Sequence, residues 1–362
     1  MGGHRGAAHP AQHLADAERE PRAAVRRRRA RGGDSVVPGA RGAAAERLVG
    51  PAAARGARNG RRRPGGCDRA QCGLGGACGR SQSRRRRSAG HRRPDAQEVA
   101  MILEVRDLGV SGRDGSPLVE GVSFGLDVGE RLSLIGESGS GKSLTSFAVT
   151  GLLPDGLTAT GEVELAGVPV IGVKERTLVP LHGRTASLVF QEPLTALDPL
   201  MRLGKQAAEP LHRHLGLRGA GLRQAVLEAL TEVRLPEPER IARAYAHEIS
   251  GGQRQRVAIA AALACRPRLL IADEPTTALD VTVQADILNL LDSLVAERGM
   301  ALLFVSHDLA VVSRMTDRAL VLRGGRVVEE GAIERILTSP ADPYTAELVR
   351  SARRLDAALE VS

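Results

Sequence analysis

The sequence predicts an α/β fold, and three observations carry that expectation. The apolar stretch Leu132 to Ile135 reads as a strand that runs into a glycine-rich turn and then a helical segment, about Lys142 through Leu153. The run Leu269-Leu-Ile-Ala-Asp-Glu274 is short, apolar and closed by two carboxylates, as expected of a buried strand. Alternation in Gly161-Glu-Val-Glu-Leu165 marks a half-buried strand, and Leu222 to Val233 carries apolar residues at helical spacing.

The 362 residues suffice for one large domain with its own core, but they form two chemically different pieces. Residues 1–100 contain 23 Arg, no Lys and 8 acidic residues, a balance of +15, whereas residues 101–362 balance at −6. The net charge of +9 therefore belongs to the first piece, and basicity gives no reason to expect nucleic acid as a partner of the rest. The first piece is rich in Arg, Ala and Gly, with runs at Arg26–Arg29, Arg61–Arg63 and Arg84–Arg87. Without apolar periodicity it cannot offset its ordering entropy, so it is expected to be a disordered basic extension. Alternation begins at once in Met101-Ile-Leu-Glu-Val-Arg-Asp-Leu108, which suggests that translation starts at Met101 and that residues 1–100 are upstream sequence.

Cys67, Cys72 and Cys78 lack a fourth ligand at metal-site spacing, and Cys265 stands alone in an apolar run. The pattern fits a reducing compartment. The longest apolar run, Val257 to Cys265, has nine residues, far short of a membrane span, and the N-terminus lacks the apolar core of a secretory signal.

The turn after the first strand consists of Gly136, Glu137, Ser138, Gly139, Ser140, Gly141, Lys142 and Ser143, the spacing G-x-x-x-x-G-K-S. Glycines there let the backbone curl around phosphate oxygens at a helix N-terminus. Lys142 is expected to supply charge to the β- and γ-phosphates, and Ser143 a hydroxyl for Mg²⁺. Of the two carboxylates closing the later strand, Asp273 suits the Mg²⁺ shell and Glu274 suits polarisation of an attacking water. Adjacent strand positions point opposite ways, which would give the two acids their different roles.

Between these elements lies Ile249-Ser-Gly-Gly-Gln-Arg-Gln-Arg256, where the chain closely resembles the ABC ATPase family. Ser250, Gly251, Gly252 and Gln253 match its signature motif, and a helix of about Gly252 to Cys265 would present a second anion site. In that family the signature of one cassette closes on the nucleotide of another, so the resemblance implies a dimer around ATP and Mg²⁺. Three further landmarks match. Gln191 looks like the Q-loop glutamine that touches Mg²⁺, Asp280 like the D-loop, and His307 like the switch histidine at the γ-phosphate.

The resemblance covers about Leu103 to Val349 and implies a P-loop NTPase cassette. Its RecA-like core would surround a mostly parallel sheet, with an antiparallel β subdomain near 101–170 and a helical subdomain near 194–265. It places the ATPase domain at 101–349 and leaves 350–362 as a short tail. Phe190-Gln-Glu-Pro-Leu-Thr-Ala-Leu-Asp-Pro-Leu-Met-Arg202, Arg266 through Gln284, and Ser339-Pro-Ala-Asp-Pro-Tyr-Thr345 resemble the ATPases of dipeptide, oligopeptide and nickel importers. Implied partners are two membrane permease subunits, a second ABC ATPase, identical or related, and indirectly a solute-binding protein, at the cytoplasmic face of a bacterial plasma membrane. A soluble ABC ATPase unrelated to transport is the alternative.

Three departures stand out. No aromatic residue lies around Val110-Ser-Gly-Arg113 to stack on adenine, which predicts weak purine selectivity. The tail reads Asp342-Pro-Tyr344 where His-Pro-Tyr is usual, and the longer Cys-bearing extension of many peptide importers is missing, as in the nickel branch.

Overall fold

The computed structural model describes residues 101–190, 197–276 and 279–360. The basic extension, with Cys67, Cys72 and Cys78, lies outside the described residues, as does Gln191.

Two sheets organise these residues. The first is antiparallel, in the order β2-β1-β4-β5, from β1 (Met101–Ser111), β2 (Pro117–Asp127), β4 (Thr158–Leu165) and the two-residue β5 (Val168–Pro169). The expected alternation holds in β4, where Val163 and Leu165 are buried.

The second sheet has six strands in the order β10-β9-β3-β8-β7-β6. They are β3 (Arg131–Ile135), β6 (Ala186–Val189), β7 (Leu269–Asp273), β8 (Ala301–Val305), β9 (Arg318–Arg323) and β10 (Arg326–Ala332). Five are parallel and β10 closes the edge antiparallel to β9. The inner strands β7 and β8 are buried on both faces, which explains why they read as continuous apolar runs. Successive side chains enter different cores. Leu269, Ile271, Leu303 and Val305 face the antiparallel sheet and the helix α1 (Lys142–Thr150), whereas Leu270, Ala272, Leu302 and Phe304 face the remaining helices. Helix α1 is shorter than expected because Gly151 adopts a left-handed conformation and caps it, bonding the Ala148 carbonyl while Leu152 N–H bonds that of Phe147.

A short helix α2 (Glu175–Leu178) precedes β6. The helical part then comprises α3 (Leu203–Leu215), α4 (Gly219–Glu232), α5 (Pro238–Arg243) and α6 (Gly251–Leu263). It lies within the expected 194–265 span. α4 takes in the predicted Leu222–Val233 pattern as far as Glu232, with Val233 as its C-cap, and α6 begins and ends slightly earlier than predicted. After β7 come α7 (Val281–Arg298), α8 (Leu309–Met315), α9 (Ile333–Thr338) and α10 (Pro343–Glu360). Helix α10 runs unbroken through 349/350, where the ATPase domain was expected to give way to a short tail. Its buried residues Tyr344 and Val349 anchor it to the core formed with α6 and α7.

Candidate functional site

The site forms at the carboxyl ends of β3, β7 and β8, which are neighbours in the sheet. Gly136 leaves β3 with φ of 149°, and a Cβ there would lie 2.2 Å from the Leu322 carbonyl oxygen on β9. Only glycine lets the chain turn so close to that backbone. The loop then enters α1, whose first turn has no side-chain cap, so its N–H dipoles point at the loop.

Lys142 is buried and folds back, its Nζ donating to the Gly136 carbonyl at 2.7 Å and the Glu137 carbonyl at 2.8 Å. Burial holds its pKa below the ordinary lysine value, opposed by the carboxylates of Glu274, Asp273 and Glu137. Ser143 Oγ donates to Asp273 Oδ1 at 3.0 Å, which ties the start of α1 to the end of β7. Ser140 Oγ is buried without a hydrogen-bond partner in this loop. A hydroxyl, a carboxylate, a buried cation and an orphaned loop hydroxyl fit a phosphate group with a hard, oxygen-binding cation. Among the described residues no cluster of three or more His, Cys, Asp and Glu could hold a metal by itself.

Glu274 requires a correction to the strand argument. It lies beyond β7 with φ of 45°, in the left-handed region, while its N–H donates to the Val305 carbonyl at 2.9 Å. The two acids therefore diverge through a strained turn rather than through strand alternation. Glu274 Oε1 is 3.1 Å from His307 Nδ1. His307 follows β8 and is held by its neighbours, since Ser306 Oγ accepts from Asp308 N–H and Asp308 Oδ1 caps α8. Lys142, Ser143, Asp273, Glu274 and His307 are thus brought together.

The signature residues form a separate group. Ser250 is the N-cap of α6, its Oγ accepting from Gln253 N–H at 3.3 Å while Gln253 Oε1 accepts from Ser250 N–H at 3.2 Å. Gly251 and Gly252 rest on Leu279 and Val283, and a Cβ on Gly252 would lie 2.6 Å from Val283 Cγ1. Asp280 caps α7, accepting from Val283 N–H at 3.0 Å. Signature and D-loop segments therefore pack together, and among the described residues no hydrogen bond joins the signature to the phosphate loop.

Two features escaped the sequence argument. Tyr344 reaches the phosphate loop, its hydroxyl accepting from Glu137 N–H at 3.1 Å; the tail motif containing it was the available signal. Where an adenine-stacking aromatic was sought, Arg113 lies against Gly156 and donates to the Asp155 carbonyl at 3.3 Å.

A sequence model of the ABC transporter family matches residues 119–277. The chain is 47% identical over 253 residues to the peptidoglycan transport ATP-binding protein YejF of Agrobacterium fabrum, which covers 68% of this chain and 46% of that protein. It is 42% identical over 267 residues to the oligopeptide transport ATP-binding protein OppD of Bacillus subtilis, covering 72% of this chain and 75% of that one. It thus spans about half of the first relative and three quarters of the second. Among solved structures, the ATP-binding cassette MJ0796, a dimer in a post-hydrolysis state bound to ADP and Pi, superposes with a TM-score of 0.57. It is 30% identical, covering 64% of this chain and 99% of that one.

Proposed function

The chain belongs to the ABC transporter family as an ATP-binding subunit, and from that premise we propose that it hydrolyses ATP to drive solute uptake, with oligopeptides or a related small solute such as nickel as cargo. The observation that carries the reading is the pairing of Ser143 with Asp273 at 3.0 Å beside the pairing of Glu274 with His307 at 3.1 Å, both around buried Lys142.

Lys142 exchanges its two loop carbonyls for the β- and γ-phosphates of ATP, while the N–H groups opening α1 receive the phosphate oxygens. Ser143 and Asp273, with Gln191, are the residues to hold Mg²⁺. Bound Mg²⁺ would neutralise charge between the β- and γ-phosphates. Glu274 orients the attacking water and draws its proton, and His307, hydrogen-bonded to it, steadies the carboxylate and contacts the γ-phosphate. Ser250, Gly251, Gly252 and Gln253, with Asp280 behind them, complete the site of a second cassette, identical or related. The dimeric state of the similar MJ0796 cassette supports this arrangement.

No helix among the described residues is long and apolar enough to cross a membrane, so coupling to transport would need membrane subunits. A cavity of about 330 Å³ between the phosphate-loop core and the helical part, lined by Leu188, Phe190 and Leu197 together with Gln206, Glu209 and Arg213, offers a cleft for one permease subunit to engage. The protein would then sit peripherally at the cytoplasmic face, with a solute-binding protein delivering cargo from the other side.

The test combines ATPase assays with pulldown of the full chain from membranes of its source. Lys142→Ala is expected to abolish ATP binding, and Glu274→Gln to bind ATP while hydrolysing at least about a hundredfold more slowly. Permease-like partners would support import. Ribosomal or DNA-repair partners instead would leave the ATPase chemistry and remove the transport reading.

A further inference from the structure

The first peptide unit of the phosphate loop is held at both of its polar atoms. Its carbonyl, on Gly136, accepts from Lys142 Nζ at 2.7 Å, and its N–H, on Glu137, donates to the Tyr344 hydroxyl at 3.1 Å. Tyr344 comes from the first turn of α10, 207 residues further along the chain. Its ring is buried, and the Arg323 guanidinium lies 4.8 Å from the ring centroid at the end of β9, next to the Leu322 carbonyl that confines Gly136.

The turn that delivers Tyr344 is itself fixed. The buried Glu329 carboxylate accepts from Ala341 N–H at 2.9 Å and Asp342 N–H at 3.1 Å, and Asp342 Oδ1 accepts from Tyr344 N–H at 2.8 Å. Aspartate at 342, where the resemblance led one to expect histidine, is therefore a helix-opening cap that seats the tyrosine.

We infer that Tyr344 is a positioning residue for nucleotide binding. When Lys142 releases the Gly136 carbonyl to reach phosphate, the Tyr344 hydroxyl is, among the described residues, the remaining hydrogen-bond partner that opposes a flip of this peptide. By holding the N–H, Tyr344 keeps the peptide plane, and with it the following loop N–H groups, in the orientation that receives phosphate. The C-terminal helix thereby gains a direct mechanical connection to the nucleotide site. The inference rests on the ATP-binding reading of the loop.

Tyr344→Phe in the full chain removes the acceptor oxygen and keeps the ring over Arg323. Steady-state ATPase kinetics, equilibrium ATP titration and a thermal melt without nucleotide are the readouts. The expected result is a three- to tenfold rise in KM and Kd for ATP, roughly the range one hydrogen bond spans, with kcat within about twofold and an unchanged melt. Equal ATP affinity in wild type and Tyr344→Phe overturns this inference alone. A parallel loss of kcat and melting temperature also overturns it, because that is the mark of a purely structural role. A wild-type chain that binds no ATP overturns the proposed function and this inference with it. Should Tyr344→Phe fail to fold, Asp342→Ala, which loosens the same turn, decides by the same KM measurement, with an unchanged KM overturning the inference.

Discussion

Replacing Gly136 by alanine tests whether the phosphate loop is shaped by the sheet behind it. The added Cβ would meet the Leu322 carbonyl oxygen at 2.2 Å and Ser140 Oγ at 2.7 Å, at a residue whose φ is 149°. Ser140 can rotate, but Leu322 belongs to β9, which is bonded to β3 on one side and β10 on the other, so its carbonyl cannot withdraw. The backbone conformation costs an L-residue about 1–3 kcal/mol, and forcing a methyl into a packed site costs a similar amount. The sum is on the order of 3 kcal/mol, or a fall in Tm of roughly 6–12 °C for a cassette of this size. Gly139→Ala is the internal control. It shares a positive φ, 81°, but its Cβ would meet nothing within 4 Å, so only the conformational cost of about 1–2 kcal/mol remains. Thermal unfolding of both full-chain variants without nucleotide separates the two contributions. If Gly136→Ala melts no lower than Gly139→Ala, contact with β9 does not shape the loop.

Other expectations follow from the same geometry. Asp280→Ala removes the cap of α7 and should lower stability by about 1 kcal/mol in urea unfolding; an unchanged midpoint would show that the cap is dispensable. Burial holds the His182 pKa below its ordinary 6.5, against the opposing hydrogen bond to the Thr150 carbonyl and the charge of Glu175. The folded state therefore prefers the neutral ring, so stability is full above about pH 6.5 and falls as acid protonates the unfolded chain first. His182→Gln, which retains a donor for Thr150, should flatten the decline in Tm between about pH 7 and pH 5, and an equally steep decline would refute the assignment. Burial pushes the Cys265 thiol up to about 11, so at pH 8 native protein should react with iodoacetamide far more slowly than urea-unfolded protein; equal rates by mass spectrometry would contradict its burial.

Much of the site was legible because its chemistry demands residue types at fixed spacing. A glycine-rich turn between an apolar strand and a helix, or two acids closing an apolar run, has few other uses, and Lys142, Ser143, Asp273 and Glu274 meet as expected. In the six-stranded sheet β3 and β7 were legible as apolar runs because both of their faces are buried, whereas the half-exposed edge strand β10, with Glu329 and Glu330 in it, carries no such run. The left-handed turn at Glu274 was not, since its side chain gives no sign of a conformation imposed by the Val305 carbonyl. Nor could spacing reveal that Tyr344 touches Glu137, because no local pattern records a contact made by chain ends so far apart. The boundary at 349 marked where the resemblance ended, and nothing in the residue pattern signalled that α10 runs on through that point.

The strand order of the larger sheet sets a timetable for synthesis on the ribosome. β3 lies between β8 and β9, with Arg131 paired to Leu302 and Leu132 to Arg318. At about 5–20 residues per second, the strand that leads into the phosphate loop waits roughly 8–35 s for its first neighbour to be made. The antiparallel sheet needs nothing beyond Pro169 and can close well before then. During that interval Leu132, Leu134 and Ile135, all fully buried in the finished protein, have no permanent partners in the sheet. Of the strands in the larger sheet, the one that leads into the glycine-rich loop thus stays unpaired longest, and late pairing of that kind is what exposes a nascent chain to aggregation.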